Sequence, residues 1–242
     1  MAGHSKWSTI KRKKGEADAK RGKIFTKLGR EIAVAVKEGG ADPATNARLK
    51  DAIAKAKASN MPNDNINRSI KKAAGEGNTD NFENIIYEGY GPNGVAVIVE
   101  TLTDNRNRTA ADIRHFFDKF GGNLGTSGCV MYMFDQKGVL IIEKNAKTSE
   151  EKLIDDALTV GADDVITQDE YFEVTTNPGD FSSVRDGLEQ AGYAFEQAQV
   201  QYVPQTDVLL SDEKDITMMG KLIDHLEDCD DVQAVWHNWD EE

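Results

Sequence analysis

With 242 residues, 39% of them hydrophobic and 29% charged, the chain is long enough for two or three domains with apolar cores. It has no run of about 20 apolar residues and no apolar stretch behind its basic N-terminus, which excludes a membrane-spanning helix and a secretory signal. The net charge is −13, and only two cysteines are present, Cys129 and Cys229, a usage that favours free thiols in a cytoplasmic protein.

The net charge hides a strong polarity along the chain. Residues 1–75 contain 18 Lys/Arg and 7 Asp/Glu, a balance of +11, whereas residues 76–242 contain 11 and 35, a balance of −24. A basic segment joined to an acidic one predicts a polyanionic partner, nucleic acid, for the basic segment. The acidic remainder would repel the same partner, so we expect contact to be confined to the basic segment.

Helical periodicity dominates the basic segment. A helix is predicted from about Glu16 to Glu38, because apolar residues recur there at spacings of three and four. Gly39-Gly40 ends it, and two further helices are predicted, one over about 43–59 with Asp42 as its N-cap, the other from Pro62 to Gly75. Three short helices with brief turns predict a small bundle.

The first predicted helix carries a cationic stripe nearly opposite its apolar face. The run of four cations before it is a block of like charge that we expect to lack fixed structure until a partner binds. Because each phosphate neutralised by lysine or arginine releases counterions, this array favours nucleic acid over a merely solvated basic face. The predicted nucleic-acid-binding residues of the basic segment are Lys6, Trp7, Lys11, Arg12, Lys13, Lys14, Lys20, Arg21, Lys23, Lys27 and Arg30.

Trp7 is an unusual residue for a polar N-terminal arm, and two roles for it stay open. Its ring would either stack on a base, as aromatic residues do in single-strand recognition, or fold back to cover the bundle.

Strand patterns begin after the linker around residues 75–78. A unit of residues 82–134 is predicted as two strands, a helix over 106–120 and a strand over 128–134. Residues 137–203 then follow the order βαββαβ, which is the ferredoxin-like pattern. A last helix and strand, over about 211–237, are too few for a domain and are expected to complete the earlier unit.

These patterns together predict an α+β fold of three domains. The first is a basic helical nucleic-acid-binding head at residues 1–77. The second is a discontinuous α/β middle domain at residues 78–135 plus 205–242, and the third is a ferredoxin-like domain inserted at residues 136–204.

Two glycine-rich segments imitate nucleotide-binding motifs. Gly89–Gly94 spells G-x-G-x-x-G but leads into a strand rather than a helix, so it predicts a hairpin turn. Gly121–Gly128 lies between a helix and a strand and lacks the Gly-Lys-Ser/Thr ending, so it predicts a flexible connection. No metal-ligand spacing or catalytic constellation stands out, and we therefore expect no cofactor, no metal and no enzymatic activity.

Arg106 and Arg108 stand out in the acidic part of the chain, in a polar loop that opens a helix. They would hold phosphate with help from the helix N-terminus, and on this basis both are candidate nucleic-acid-binding residues. The alternative is that Asp104 or Asn105 caps the helix while the arginines pair with nearby carboxylates.

Five motifs resemble the YebC family, also called PmpR-type regulators, over almost the whole chain. They are Met1-Ala2-Gly3-His4-Ser5-Lys6-Trp7, Ala19-Lys20-Arg21-Gly22-Lys23-Ile24-Phe25, Tyr87-Glu88-Gly89-Tyr90-Gly91-Pro92, Asp104-Asn105-Arg106-Asn107-Arg108-Thr109 and Gly121-Gly122-Asn123-Leu124-Gly125. The resemblance implies a helical bundle and two α/β domains, the last inserted into the middle one.

The resemblance also implies a function. It implies a cytoplasmic, DNA-binding, probable transcriptional regulator with no agreed catalytic residues. Relatives in bacteria and mitochondria are implicated instead in translation at the ribosome on stalled nascent chains, so ribosomal or transfer RNA is the alternative partner. We therefore predict a non-enzymatic, nucleic-acid-binding regulator of gene expression.

Overall fold

A computed structural model describes residues 2–75, 81–145 and 148–240, and of the side chains before residue 21 it describes only those of Trp7 and Ile10. Helices and antiparallel sheets are both present, which confirms the predicted α+β class. Within the described ranges, no helix is long and apolar enough to cross a membrane.

The described ranges contain seven α-helices and ten strands. The helices are α1 (Ala2–Gly39), α2 (Ala47–Ala58), α3 (Asn63–Ala74), α4 (Arg106–Lys119), α5 (Glu150–Thr159), α6 (Phe181–Gln190) and α7 (Glu213–Asp228). The strands are β1 (Glu83–Tyr90), β2 (Ala96–Thr103), β3 (Asn123–Leu124), β4 (Phe134–Glu143), β5 (Asp164–Thr167), β6 (Tyr171–Thr176), β7 (Gln197–Pro204), β8 (Val208–Leu209), β9 (Val232–His237) and β10 (Trp239–Asp240).

The chain divides into two compact units. Of the described residues, the first unit contains those up to Asp18, Phe134–Gln205 and Asp240, and the second contains Ala19–Met133 and Thr206–Trp239. The second unit is thus discontinuous in sequence, as the fold prediction requires for an inserted module. The three domain boundaries given above stay predictions.

The first unit is built on a four-stranded antiparallel sheet with the order β5-β6-β4-β7. This order, with α5 and α6 as the connections, is the predicted ferredoxin-like arrangement. Successive residues of a strand point to opposite faces of the sheet. Leu140 and Ile142 therefore join the core that contains Leu153 of α5 and Leu188 of α6. Val139 and the residue two positions after it lie on the opposite face of the sheet.

The opposite face of this sheet is covered by the first turns of α1. The prediction that the helix begins near Glu16 and that the lysine run lacks structure is wrong, because α1 begins at Ala2. Trp7 and Ile10, three residues apart and so on one side of the helix, pack against Val139 and Tyr171. Lysine, arginine and alanine are good helix formers, and this apolar contact supplies the packing that the charged run lacks.

The second unit begins with a helical core formed by α1, α2 and α3. Leu28, Ile32 and Val36 of α1 pack with Leu49 of α2 and Ile66 of α3, as their helical spacing predicts.

The start of α2 differs from the prediction, which placed the cap at Asp42. Asn46 is the N-cap and accepts a hydrogen bond from the Leu49 amide at 3.0 Å. The Asn46 side chain also donates to the carbonyl oxygens of Ala35 and Gly40, so one buried amide ties α1 to α2. Those extra bonds favour Asn46 over Asp42, whose carbonyl instead closes a turn.

A second sheet, with the order β3-β1-β2-β9, completes the second unit. β9 pairs with β2, so the last helix and strand complete the sheet that β1 and β2 begin, as expected from their number. Val97 and Val99 of β2 face Phe117 of α4 and Leu222 and Leu226 of α7, which places both helices on one face.

The predicted strand over 128–134 is wrong. The third strand of this sheet is instead Asn123–Leu124, inside the glycine-rich connection, and Phe134 begins β4 of the first unit. This segment forms no ladder because the amides of Gly128, Val130 and Met131 bond to a side chain, described below. The segment Gly89–Gly94 closes the turn between β1 and β2, as predicted, with Asn93 and Gly94 at φ of 52° and 80°.

Candidate nucleic-acid interface

The cationic stripe of α1 meets the carboxyl-terminal end of α7 inside the second unit. Three of its cations donate hydrogen bonds there: Lys23 to the carbonyl oxygen of Asp228 at 3.3 Å, Lys27 to that of Glu227 at 2.6 Å and Arg30 to that of Asp230 at 2.7 Å. The last carbonyls of a helix lack intrahelical partners and carry the negative end of the helix dipole. These cations therefore neutralise the end of α7, and binding a phosphate with them requires giving up those contacts.

Lys27 is half-buried where it meets the end of α7. Burial lowers the pKa of Lys27, and the acidic groups at the end of α7 oppose that effect. A lysine in such a setting is held by its protein surroundings rather than presented to solvent. Its role in nucleic-acid binding, like that of Lys23 and Arg30, stays a prediction.

Asp231 is the centre of a buried polar cluster between α1, β2 and α4. Its carboxylate accepts hydrogen bonds from Arg30 at 2.8 Å, Arg108 at 2.7 Å, Thr109 at 2.7 Å and Thr103 at 3.2 Å. Burial alone would raise the pKa of Asp231, but the hydrogen bonds from the two arginines and Thr109 outweigh it and hold the pKa below its usual value. The carboxylate is therefore ionised and fully partnered.

The two arginines of the polar loop have different surroundings. Asn105 caps α4 by accepting from the Arg108 amide at 3.1 Å, and Arg108 pairs with Asp104 as well as Asp231. This matches the alternative in which the loop is structural. Arg106, by contrast, is exposed at the first residue of α4 and forms no ion pair with the residues that the structure describes.

Trp7 lies in the first unit with its ring stacked on Tyr171, at a centroid distance of 5.3 Å and an interplanar angle of 12°. Only 6% of Trp7 is exposed. The ring thus covers the ferredoxin-like sheet, which is neither of the two roles left open by the sequence. Stacking on a base would require the ring to leave Tyr171.

The other predicted residues of the basic segment lie on α1. Arg21 is exposed. The side chains of the remaining six lie outside the part of the chain that the structure describes: Lys6, Lys11, Arg12, Lys13, Lys14 and Lys20.

Sequence reasoning assigned no role to a second set of exposed cations, which lie on α2 and α3. They are Arg48, Lys50, Lys57, Arg68, Lys71 and Lys72. The signal that would have found them is the helical wheel of α3, in which the buried Ile66 and Ala73 define one side and leave the opposite side polar.

Glu88 is a buried carboxylate to which sequence reasoning also gave no role. It accepts hydrogen bonds from the amides of Gly128 at 2.6 Å, Val130 at 3.0 Å and Met131 at 2.8 Å. These bonds hold the segment before β4 in place of a strand ladder, which explains why the strand predicted there does not form.

Replacing Glu88 by glutamine should lower the free energy of unfolding by about 1–3 kcal/mol, because one amide then faces a donor and the charge assistance is lost. Denaturant titration followed by circular dichroism measures this difference. Glu83→Gln is the matched control, since Glu83 is exposed on the same strand. Equal stability of the two variants would contradict the role given to Glu88.

Two family models match the chain: the TACO1/YebC protein N-terminal domain at residues 5–76, and the TACO1/YebC second and third domain at residues 82–239. A protein of Acetivibrio thermocellus named probable transcriptional regulatory protein is 64% identical over 99% of both chains. One of the same name from Ruminiclostridium cellulolyticum is 61% identical over 100% of this chain and 98% of its own. The crystal structure of a conserved hypothetical protein from Aquifex aeolicus has a TM-score of 0.82 and 47% identity, covering 93% of this chain and 92% of that one.

Proposed function

This chain belongs to the TACO1/YebC family, and from that premise we propose that it is a non-enzymatic regulator of gene expression that binds DNA in the cytoplasm through its basic helical segment. The relatives named above are probable transcriptional regulatory proteins, which supports regulation as the role. DNA binding, the absence of catalysis and the location are parts of the proposal.

The observation that carries the proposal is the concentration of positive charge. The first 75 residues hold a balance of +11 in a chain whose total is −13. Exposed cations lie on all three helices of this segment: Arg21 and Lys37 on α1, Arg48 on α2, and Arg68 and Lys71 on α3. Such a surface neutralises several phosphates at once and releases their counterions, which is the main source of affinity for nucleic acid.

The charge of the remaining residues also favours contact through the basic segment. It is strongly acidic, so it repels a phosphate backbone and confines contact to the helical segment. The cations that face the acidic end of α7 are already neutralised. The exposed cations on the solvent side of these helices add to the positive potential that attracts a polyanion.

The proposal is tested with two variants that each lose four positive charges, one variant within the basic segment and the other outside it. A head variant replaces Lys11, Arg12, Lys13 and Lys14 by glutamine. The control replaces four lysines outside the basic segment by glutamine: Lys119, Lys137, Lys214 and Lys221. Binding of each protein to a mixed-sequence DNA duplex is measured by fluorescence anisotropy at several salt concentrations.

We expect the head variant to bind more weakly and to lose about 0.9 from its log–log salt slope for each phosphate contact removed, whereas the control keeps the wild-type slope. Equal weakening of both variants would mean that net charge alone matters. Absence of duplex binding by the wild type overturns DNA as the target, and tight binding to a structured RNA in the same assay would place the protein with the translation factors instead.

A further inference from the structure

α2 and α3 form a helix–turn–helix unit within the basic segment. Each helix has 12 residues, and a turn over 59–62 joins them. Asn60 has the left-handed φ of 57° that such a sharp turn needs, and the buried Met61 donates its amide to Ala56 at 2.9 Å. Two short helices with a turn of three or four residues are the layout in which the second helix enters the major groove of DNA.

The second helix of this unit, α3, has one apolar side and one polar side. Ile66 and Ala73 are buried, and Ile70 packs partly against the same core. At 100° per residue the opposite half of the wheel carries the half-buried Asn65 and five exposed residues: Asp64, Asn67, Arg68, Lys71 and Lys72. A helix held by only two fully buried residues thus presents a broad solvent-facing surface, with three cations against one acid.

The composition of this face is unfavourable for a helix that merely stays solvated. Asparagine has a lower helix propensity than lysine, glutamate or glutamine, and Asn67 lies exposed on this face beyond the first turn of α3. Residues that weaken the helix without contributing to its core are expected where they contact something else.

Three side chains of this face are available to a partner. Asn67, Arg68 and Lys71 form no hydrogen bond or ion pair with any residue in the three described ranges. Lys23, Lys27 and Arg30 of α1 differ in this respect, because the end of α7 occupies them. Arg68 and Lys71 of α3 are therefore better placed than these three cations of α1 to bind an external polyanion.

The chemistry of the face matches duplex DNA more closely than a bare phosphate surface. Asparagine pairs through two hydrogen bonds with the N6 and N7 edge of adenine, and arginine with the O6 and N7 edge of guanine, both in the major groove. Lysine at the same helix holds backbone phosphates and sets the orientation. Asn67 and Arg68 supply the first kind of group, and Lys71 and Lys72 supply the second.

We propose that α3 is the recognition helix of this protein, with Asn67 and Arg68 at base edges in the major groove of duplex DNA and Lys71 and Lys72 on phosphates. This inference rests on the proposed function and specifies which surface reads the sequence.

The test measures sequence selectivity rather than affinity alone. The wild-type protein first selects preferred duplexes from a randomised DNA pool, and anisotropy then gives the affinity ratio between a selected duplex and its scrambled version. The variants are Asn67→Ala with Arg68→Ala, Lys71→Ala, and Lys57→Ala as a control on the exposed last turn of α2. Circular dichroism checks that each variant remains helical.

We expect the affinity ratio of the Asn67/Arg68 variant to fall by a factor of about 5 to 150 for each base contact removed. Its affinity for the scrambled duplex should change little. Lys71→Ala should weaken both duplexes alike, and Lys57→Ala should leave the ratio unchanged. An unchanged ratio in the Asn67/Arg68 variant, or a wild type that binds duplexes without selecting any sequence, overturns α3 as the recognition helix while leaving DNA binding intact. A wild type that binds no duplex at all removes both the inference and the proposed function.

Discussion

Replacing Asp231 by alanine should lower the free energy of unfolding of the second unit by about 3 kcal/mol at neutral pH. The change leaves Arg30 and Arg108 without their shared carboxylate and removes the acceptor of the Thr109 hydroxyl. Removing one partner of a buried ion pair costs about 3–5 kcal/mol. The Arg108 side chain is 46% exposed and regains water, which places the cost at the lower end of that range.

Asp231→Asn removes the charge of the side chain but keeps its shape. The difference in stability between this variant and the wild type should therefore depend on pH. The pKa of Asp231 is lowered in the folded protein, so its stabilisation is present above the ordinary value of about 4 and is lost as the pH falls through the folded value. The gap between wild type and Asp231→Asn should therefore be widest near neutral pH and should narrow below about pH 4. Urea titrations across this range provide the measurement.

Asp230→Asn is the matched control for both substitutions, since the neighbouring Asp230 side chain is exposed and the change in charge is the same. It should stay within about 0.5 kcal/mol of the wild type. An Asp231→Ala protein as stable as the Asp230→Asn control would show that the cluster around Asp231 does not hold the second unit together.

Local periodicity was enough to predict most of the secondary structure and the fold class. The ends of α4 and α7 lie within one or two residues of their predicted positions, because apolar spacing and polar caps act over a single helical turn. The order βαββαβ and the return of the last strand to the earlier sheet also follow from counting elements. Topology rules limit the arrangements that such an order permits.

The contacts that define the candidate site were beyond that reasoning. Asp231 bonds to Arg108, which lies 123 residues away, and α7 ends against α1, about 200 residues away. Pairings at such separations leave no periodic trace in one sequence. The strand expected over 128–134 failed for the same reason, because the distant Glu88 takes the amides that a ladder would have used.

The start of α1 at Ala2 does not follow from the composition of its charged run. Its lysines predict a mobile arm, but the two apolar residues on one side of that arm dock onto a sheet more than 120 residues away in the sequence. A lone aromatic residue in a polar arm is thus a signal of docking as well as of base stacking. The partner of the Trp7 ring is a surface of the same chain that is distant in sequence.

Replacing Trp7 by alanine should therefore lower the free energy of unfolding of the first unit by about 3–5 kcal/mol, the usual cost of removing a buried large aromatic ring. The ring is 6% exposed and stacks on Tyr171, which is 1% exposed, so its loss opens the face of the sheet formed by β4 and β6. Denaturant titration by circular dichroism gives the total change. Amide hydrogen exchange in β4 and β6 then locates it.

Tyr171→Phe is the control that keeps the stack and removes only the hydroxyl. Burial raises the pKa of Tyr171 to about 12, above the ordinary value of about 10, so the folded state loses stability as the pH rises between these values. The phenylalanine variant should match the wild type at neutral pH and lose less stability above about pH 10. A Trp7→Ala protein that is as stable as the wild type but binds DNA more weakly would instead assign the ring to a base, because an aromatic ring cannot stack on Tyr171 and on a nucleotide through the same face.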